Sequence, residues 1–222
     1  MMSRSRGVPR LSAVPGLLAL VPCLLLSGCN RVLLDERFHD NHLVGWTAID
    51  DPDTVDGPSS WRAEQDGWLH QRSNIWGRRG DFLGRWYGTY FVAGDERWDD
   101  YVLSLRAKPG DDDGFGVVVR FKDPEHFYRL LFIEDGFNGG PITRLDKRNG
   151  PDYTELWSRG KGFKLGDEMA IEVQVSGDSI TVVLDGVTLL TVSDGSYARG
   201  KIGLFCYAQN DQAFDDVKVT RK

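Results

Sequence analysis

From Leu33 onward the chain is a succession of short runs of β-branched and aromatic residues, each closed by Gly, Asp, Asn or Pro, and no stretch sustains a helical period over three turns. This pattern reads as all-β. The clearest strand segments are residues 101–108, 116–122, 127–134, 169–176, 179–184, 187–192, 201–208 and 214–220. Two hairpins are legible among them: Ser176-Gly177-Asp178-Ser179 joins two alternating runs, and Leu184-Asp185-Gly186-Val187 carries the Asp-Gly pair of a type I′ turn. About a dozen or more short strands exceed what one flat sheet holds, so the expected architecture is a two-sheet antiparallel jelly-roll sandwich.

The first thirty residues are of a different kind. Arg4, Arg6 and Arg10 precede an apolar run over residues 17–26, which ends in Leu26-Ser27-Gly28-Cys29. That is the layout of a secretory signal peptide. A spanning helix fits less well, because Pro15 and Pro22 interrupt a run shorter than the roughly 20 residues a bilayer requires. Small residues leading straight into a cysteine resemble the bacterial lipobox. The resemblance implies removal of residues 1–28, lipid modification of Cys29, a short tether over 29–32 and a folded domain over 33–222. Asn30, and not Asp, follows the cysteine, which by the same resemblance favours the outer membrane of the cell envelope.

Removing residues 1–28 takes away three arginines and no acids, leaving 27 − 3 = 24 basic against 33 acidic residues, a net charge of −9. Nucleic acid is therefore an unsuitable partner. The remaining length, about 190 residues, suits one all-β domain. Of the three cysteines, Cys23 leaves with the signal and Cys29 carries lipid, so Cys206 stands alone, without an intrachain disulfide. It lies in the apolar run Ile202-Gly203-Leu204-Phe205-Cys206-Tyr207, where a lone thiol reads as a small buried apolar residue.

The string from Gly200 through Ile202, Leu204, Tyr207 and Gln209 to Asn210, ending in Phe214-Asp215-Asp216-Val217, resembles the closing strands of concanavalin A-like lectin/glucanase domains. Asp111-Asp112-Asp113-Gly114-Phe115-Gly116, running on to Arg120-Phe121 and then Phe127-Tyr128, is similar to the acidic loop and following strands of the lectin-like C-terminal domain of thrombospondins. Residues 46–86 resemble bacterial laminin-G-like jelly rolls more loosely. The resemblance implies a jelly roll with structural calcium, and the wider superfamily implies glycan ligands. The calcium-repeat arrays of thrombospondins are missing, so no thrombospondin partner carries over.

Several constellations bear on chemistry. Asp111, Asp112 and Asp113 supply hard oxygens on a glycine-flanked turn suited to calcium, and Asp51, Asp53 and Asp56, with Asp50 before them, form a second acidic cluster without EF-hand spacing. Soluble turns favour the same residues. Asp215 and Asp216 resemble a further calcium position. A symmetric hairpin through Asp123-Pro124-Glu125 would set Arg120 opposite Arg129, with Val117, Val119 and Phe121 toward the core and Val118, Arg120 and Lys122 on the other face. Two facing guanidiniums require an anion, either a carboxylate such as Glu134 or Glu155 or a bound ligand.

Seven tryptophans form a heavy aromatic load. Trp61 and Trp68, flanking a turn at 65–67, read as core anchors. Trp76, Trp86 and Tyr87 lie among glycines beside Arg78, Arg79 and Arg85, where they serve either to pack the core and loops, the commoner role of such residues, or to stack on a saccharide ring. Catalytic patterns are missing: the one Glu-x-Asp is Glu64-Gln65-Asp66, and neither a Gly-x-Ser-x-Gly elbow nor a His-Glu-x-x-His site occurs. The leading expectation is a non-catalytic, membrane-anchored glycan binder with structural calcium. A structural or protein-interaction lipoprotein of the envelope, and a glycoside-active enzyme, stand as alternatives.

Overall fold

The computed structural model describes residues 31–39, 43–77 and 85–222, and the signal segment with Cys29, together with Arg78 and Arg79, lies outside them. Every regular element among the described residues is a strand. In chain order these are β1 (Val32–Glu36), β2 (Thr47–Asp50), β3 (Thr54–Val55), β4 (Trp61–Ala63), β5 (Leu69–Gln71), β6 (Trp76–Gly77), β7 (Thr89–Ala93) and β8 (Tyr101–Pro109). There follow β9 (Gly114–Asp123), β10 (His126–Ile133), β11 (Ile142–Asn149), β12 (Asp152–Arg159), β13 (Met169–Ser176), β14 (Ser179–Leu184), β15 (Val187–Ser193), β16 (Lys201–Tyr207) and β17 (Gln212–Arg221).

Two antiparallel sheets carry the fold. One has the order β15-β14-β13-β8-β17-β5-β4, with β1 pairing the far half of β17, and the other has the order β12-β11-β10-β9-β16-β7-β2. A short β3–β6 pair stands apart. The expected two-sheet sandwich is thus the observed one, and both hairpins form where the turn residues placed them. Asp185 and Gly186 both adopt left-handed backbone, as a type I′ turn demands. Between the sheets, Leu103, Leu105, Val173, Phe214 and Val219 of the first meet Phe91, Val117, Val119, Leu130, Phe132 and Leu204 of the second. Trp61 stacks on Phe91 in this layer, and Cys206 is buried there. Trp68, in contrast, is only half-buried: the Arg106 guanidinium lies 4.8 Å over its ring, outside the core.

The seven-stranded sheet is buried on its outer face as well. Tyr90, Val118, Phe121, Phe127, Leu131, Phe205 and Tyr207 form a second apolar cluster there, with Trp86 and Trp76 packed onto it. Covering segments cross this face, tied down by Asp51 N–H to Gly88 O (2.9 Å) and Ala208 N–H to Ile75 O (2.7 Å). Alternation along β9 and β10 therefore separates two apolar layers, not an apolar from a wet one.

The symmetric pairing of Arg120 with Arg129 does not occur. Arg129 lies opposite Val118, and the β9–β10 register slips between Tyr128 and His126. On the other side of β9 two residues, Val119 and Arg120, oppose the single Ile202. Arg120 is the extra residue, with φ of 49°, and this bulge reverses every side chain after it. Phe121 accordingly faces the outer cluster and not the intersheet core. The two arginines end on opposite faces of the sheet.

The sandwich has two poles. One gathers the β8–β9 loop, where Glu134 N–H bonds Asp112 O and Gly110 N–H bonds Asp211 O. The other gathers the start of β8, Arg31 and the last residues of β17: Arg221 N–H bonds Arg31 O, Lys222 N–H bonds Asp100 O, and Gly200 N–H bonds Trp98 O. Gly116, midway along β9, lies so close to β10 that an added Cβ would overlap the Leu130 carbonyl oxygen. Gly116→Ala is expected to cost stability at the upper end of the roughly 1–3 kcal/mol of an overpacked core, read as a lowered urea midpoint with unchanged slope.

Candidate functional site

The outer face of the seven-stranded sheet concentrates charge where none would be expected. β11 turns Asp146 inward, fully buried, and β10 presents Arg129, also fully buried, across from it. Arg129 Nη2 donates to Asp146 Oδ2 at 3.0 Å, while its Nη1 donates to Trp86 O at 2.9 Å and Nη2 again to Arg85 O at 3.0 Å. The Tyr153 and Phe205 rings enclose the guanidinium at 4.3 and 4.8 Å. Arg144 also bonds Asp146, through Nε to Oδ1. Beside this group, Arg148 Nη1 meets Asp51 Oδ1 at 2.5 Å, and Tyr90 donates its hydroxyl to Asp51 Oδ2 at 2.8 Å. Burial, and then the Asp51 carboxylate, push the Tyr90 phenol well above its ordinary range, so it remains a donor.

These bonds hold the segment around Trp86 against the sheet, and from it a second set of bonds builds a cleft. The Trp86 indole donates to Asn138 O at 2.9 Å, with the Arg144 guanidinium 5.1 Å over its ring. Asn138 Nδ2 donates to Asp113 Oδ1 at 2.6 Å and to Asp135 Oδ2 at 2.9 Å, and Tyr207 donates its hydroxyl to Asn138 Oδ1 at 3.0 Å. Asn74, Trp76, Asp113, Phe137, Asn138 and Tyr207 line the resulting hollow of about 470 Å³. Trp76 is anchored through its indole to Asp56 Oδ2 at 3.2 Å. Aromatic faces beside amide and carboxyl groups form the wall composition that sugar rings require: apolar patches for their C–H faces and polar groups for their hydroxyls. A smaller hollow of about 270 Å³, lined by Asp53, Arg85, Tyr87, Glu125 and Arg148, lies on the other side of the covering segment.

The residues singled out in the sequence distribute as follows. Trp76 lines the larger cleft and Tyr87 the smaller, while Trp86, itself in the covering segment, is buried against the sheet. Arg129 is the buried anchor of that segment. Arg120 belongs elsewhere: its Nη1 donates to Tyr197 O at 2.9 Å, and its own backbone N–H bonds the Tyr101 hydroxyl at 2.8 Å. The carboxylates considered for it are otherwise engaged, Glu134 by the Phe163 N–H and Glu155 by the Ser158 hydroxyl. Glu64 and Asp66 flank the β4–β5 turn, bonded to Arg72 and His70. Asp146, Arg144, Arg148 and Tyr153 were not singled out. Their strands read as charged alternation, the mark of a solvated face, and only the covering segment makes that face dry.

The carboxylates of Asp111, Asp112 and Asp113 lie within 4.8 Å of one another, and they are the one such grouping among the described residues. The loop is braced by Gln209, whose Nε2 donates to Asp111 O and Asp113 O at 2.9 and 2.8 Å. An oxygen-only set of three clustered carboxylates fits calcium and no soft metal. Asp51, Asp53 and Asp56 do not gather: Asp51 is spent on Arg148 and Asp56 on Trp76. Asp215 and Asp216 are neutralised by Arg106, at 2.5 and 2.8 Å.

No family model and no curated protein matches the chain. Solved structures do. The carbohydrate-binding module CBM66 from Bacillus subtilis superposes with a TM-score of 0.61 at 14% identity, covering 79% of this chain and 95% of that one. A Bacillus subtilis protein of unknown function with a galectin-like fold gives 0.63 at 12% identity, covering 86% and 96%. These likenesses show the fold, a two-sheet antiparallel jelly roll. Bacillus licheniformis β-glucanase shares it, with a TM-score of 0.59 at 10% identity over 85% of this chain and 97% of that one, and a shared fold does not by itself assign a function.

Burial first, and then the charges of Asp111, Asp135 and Asp112, push the Asp113 carboxyl up to about 7. The folded state thus holds this proton more tightly than the unfolded chain, whose carboxyl titrates near 3.8. The contribution of this group to stability is greatest below the unfolded value and falls as pH rises to about 7, where its slope ends. Asp113→Asn should flatten this part of the stability–pH curve. Thermal midpoints of the two proteins between about pH 4 and 8 check it.

Proposed function

We propose that this chain is a non-catalytic, envelope-anchored carbohydrate-binding lipoprotein whose ligand lies in the Trp76–Asn138–Tyr207 cleft. The observation that carries the reading is the construction of that cleft: an aromatic and amide-lined hollow on a sheet face of a jelly roll, its walls fixed by Trp86 and Arg129. Likeness to a carbohydrate-binding module adds the chemical class. The anchoring half of the reading is supported by the Leu26-Ser27-Gly28-Cys29 motif, which ends three residues before β1 begins.

Calorimetric titration with a panel of neutral and acidic oligosaccharides tests the binding. At least one is expected to bind, and Trp76→Ala should weaken it on the order of tenfold, or ~1.4 kcal/mol, in a variant whose far-UV circular dichroism shows the fold retained at the titration temperature. Unchanged affinity in the variant, or release of new reducing ends from the panel, would refute a binding-only cleft with Trp76 as its platform.

Calcium on Asp111, Asp112 and Asp113 belongs to the same proposal, because it would balance three clustered carboxylates and stiffen the loop that carries Asp113 into the cleft. Calcium should raise the thermal midpoint of the protein over that in chelator, and Asp111→Asn with Asp113→Asn should abolish the rise.

A further inference from the structure

The anchor and the cleft occupy opposite corners of the sandwich. Arg31, the first residue of the described domain, is bonded through its carbonyl to Arg221 N–H, and Arg221 pairs with Tyr101 at the start of β8. The cleft lies at the other end of the strands, beside Asp113, just past the end of β8. Nine residues separate these ends, which at a strand rise of ~3.3 Å is about 27 Å. The two sites also lie on different layers. β1 is a strand of the eight-stranded sheet, whereas the cleft opens on the outer face of the seven-stranded one, a further ~10 Å or more across the sandwich.

The chain between lipid and domain is short. From Cys29 to Val32 there are three Cα steps, which even fully extended reach only about 10–11 Å. A tether of that length holds the β1 corner at the bilayer and lets the domain tilt, but it does not let the domain roll over onto the cleft. We propose that the pole formed by residues 95–100 and 221–222 rests on the phospholipid headgroups of the anchoring membrane, and that the cleft faces away from that membrane. This rests on the lipid anchoring of Cys29 proposed above.

The chemistry of the pole suits headgroups and not hydrocarbon. It is dense in charge of both signs: Arg97 pairs with Asp95 at 2.5 Å, Arg221 with Asp99 at 3.3 Å and Asp100 with the buried Arg120 at 3.6 Å, while Lys222 Nζ donates to Gln174 Oε1 at 3.2 Å. Such a surface neither inserts nor is strongly repelled by a zwitterionic or mildly anionic bilayer. A glycan captured in the cleft is therefore one that approaches from the compartment the anchor faces, and not a glycolipid of the same leaflet.

The test uses the full chain, processed in a lipoprotein-competent bacterium and reconstituted into phosphatidylethanolamine–phosphatidylglycerol vesicles containing headgroup-quencher lipid. Cys206 is buried, so single fluorophores go onto introduced thiols: Arg97→Cys at the anchor pole, and Phe137→Cys and Leu165→Cys at the cleft pole. Leu165 precedes Gly166, whose N–H bonds Pro109 O, so it reports the same pole should the cleft variant misfold. The label at position 97 is expected to lose most of its emission, and those at 137 and 165 to keep theirs. Quenching at 137 or 165 equal to that at 97 overturns the orientation while leaving the anchor intact. An unacylated Cys29 by mass spectrometry, with no vesicle binding, overturns the anchoring reading itself and the orientation with it.

Discussion

Arg129 holds a permanent charge on a side chain with no exposed surface. In such a place a guanidinium requires a carboxylate and a full set of acceptors, and losing one partner of a buried ion pair typically costs about 3–5 kcal/mol. Asp146 supplies the charge, and the carbonyls of Arg85 and Trp86 accept from the two Nη groups, leaving Nε as the one nitrogen without an acceptor. Those two carbonyls belong to the segment that covers the sheet. The ion pair therefore does more than satisfy itself, because it fixes a stretch of irregular backbone at a defined height above β10. Trp86 transmits that position to Asn138, and Asn138 to Asp113 and Tyr207.

A jelly roll with one sheet face open would present a long groove. Here residues 51–57, 75–77 and 85–88 cross that face, filling its middle with Tyr90, Phe127, Phe205 and the Arg148–Asp51 pair. What remains open is a hollow on either side of the covering segment. The larger one inherits aromatic walls from both layers, Trp76 from the cover and Tyr207 from the sheet. Recognition of a short stretch of sugar, two or three rings, suits a hollow of about 470 Å³ better than tracking of a long chain.

Much of this was legible in the sequence. Short runs and turn residues gave β8, β13, β14, β15 and β17 of the eight-stranded sheet closely, though not β1, β4 or β5: β13 and β14 have the bounds that alternation assigned them, because one face of each is wet and the other dry. The seven-stranded sheet was harder. β11 carries Arg144, Asp146, Lys147 and Arg148 around a single Leu145, a pattern that reads as solvated surface when a covering segment distant in sequence cannot be foreseen. The Arg120 bulge was equally hidden, since an arginine with left-handed backbone leaves no mark in hydrophobic pattern, and its consequence was a reversed Phe121. Trp76, an aromatic among glycines, was singled out from the sequence and lines the cleft. Asn74, Phe137, Asn138 and Tyr207 come to it only through the fold.

The account stands on sugar binding at the Trp76 cleft, and the indole N–H resonances of the protein test it directly. Seven tryptophans give seven reporters, of which Trp46 and Trp61 lie in the intersheet core and serve as fixed references. On titration with an oligosaccharide that the protein retains, the Trp76 indole resonance is predicted to move in a saturable way while those of Trp46 and Trp61 stay in place. A Trp76 resonance that holds still at saturation, with movement at Trp68 or Trp157 instead, would place the ligand elsewhere and contradict the account.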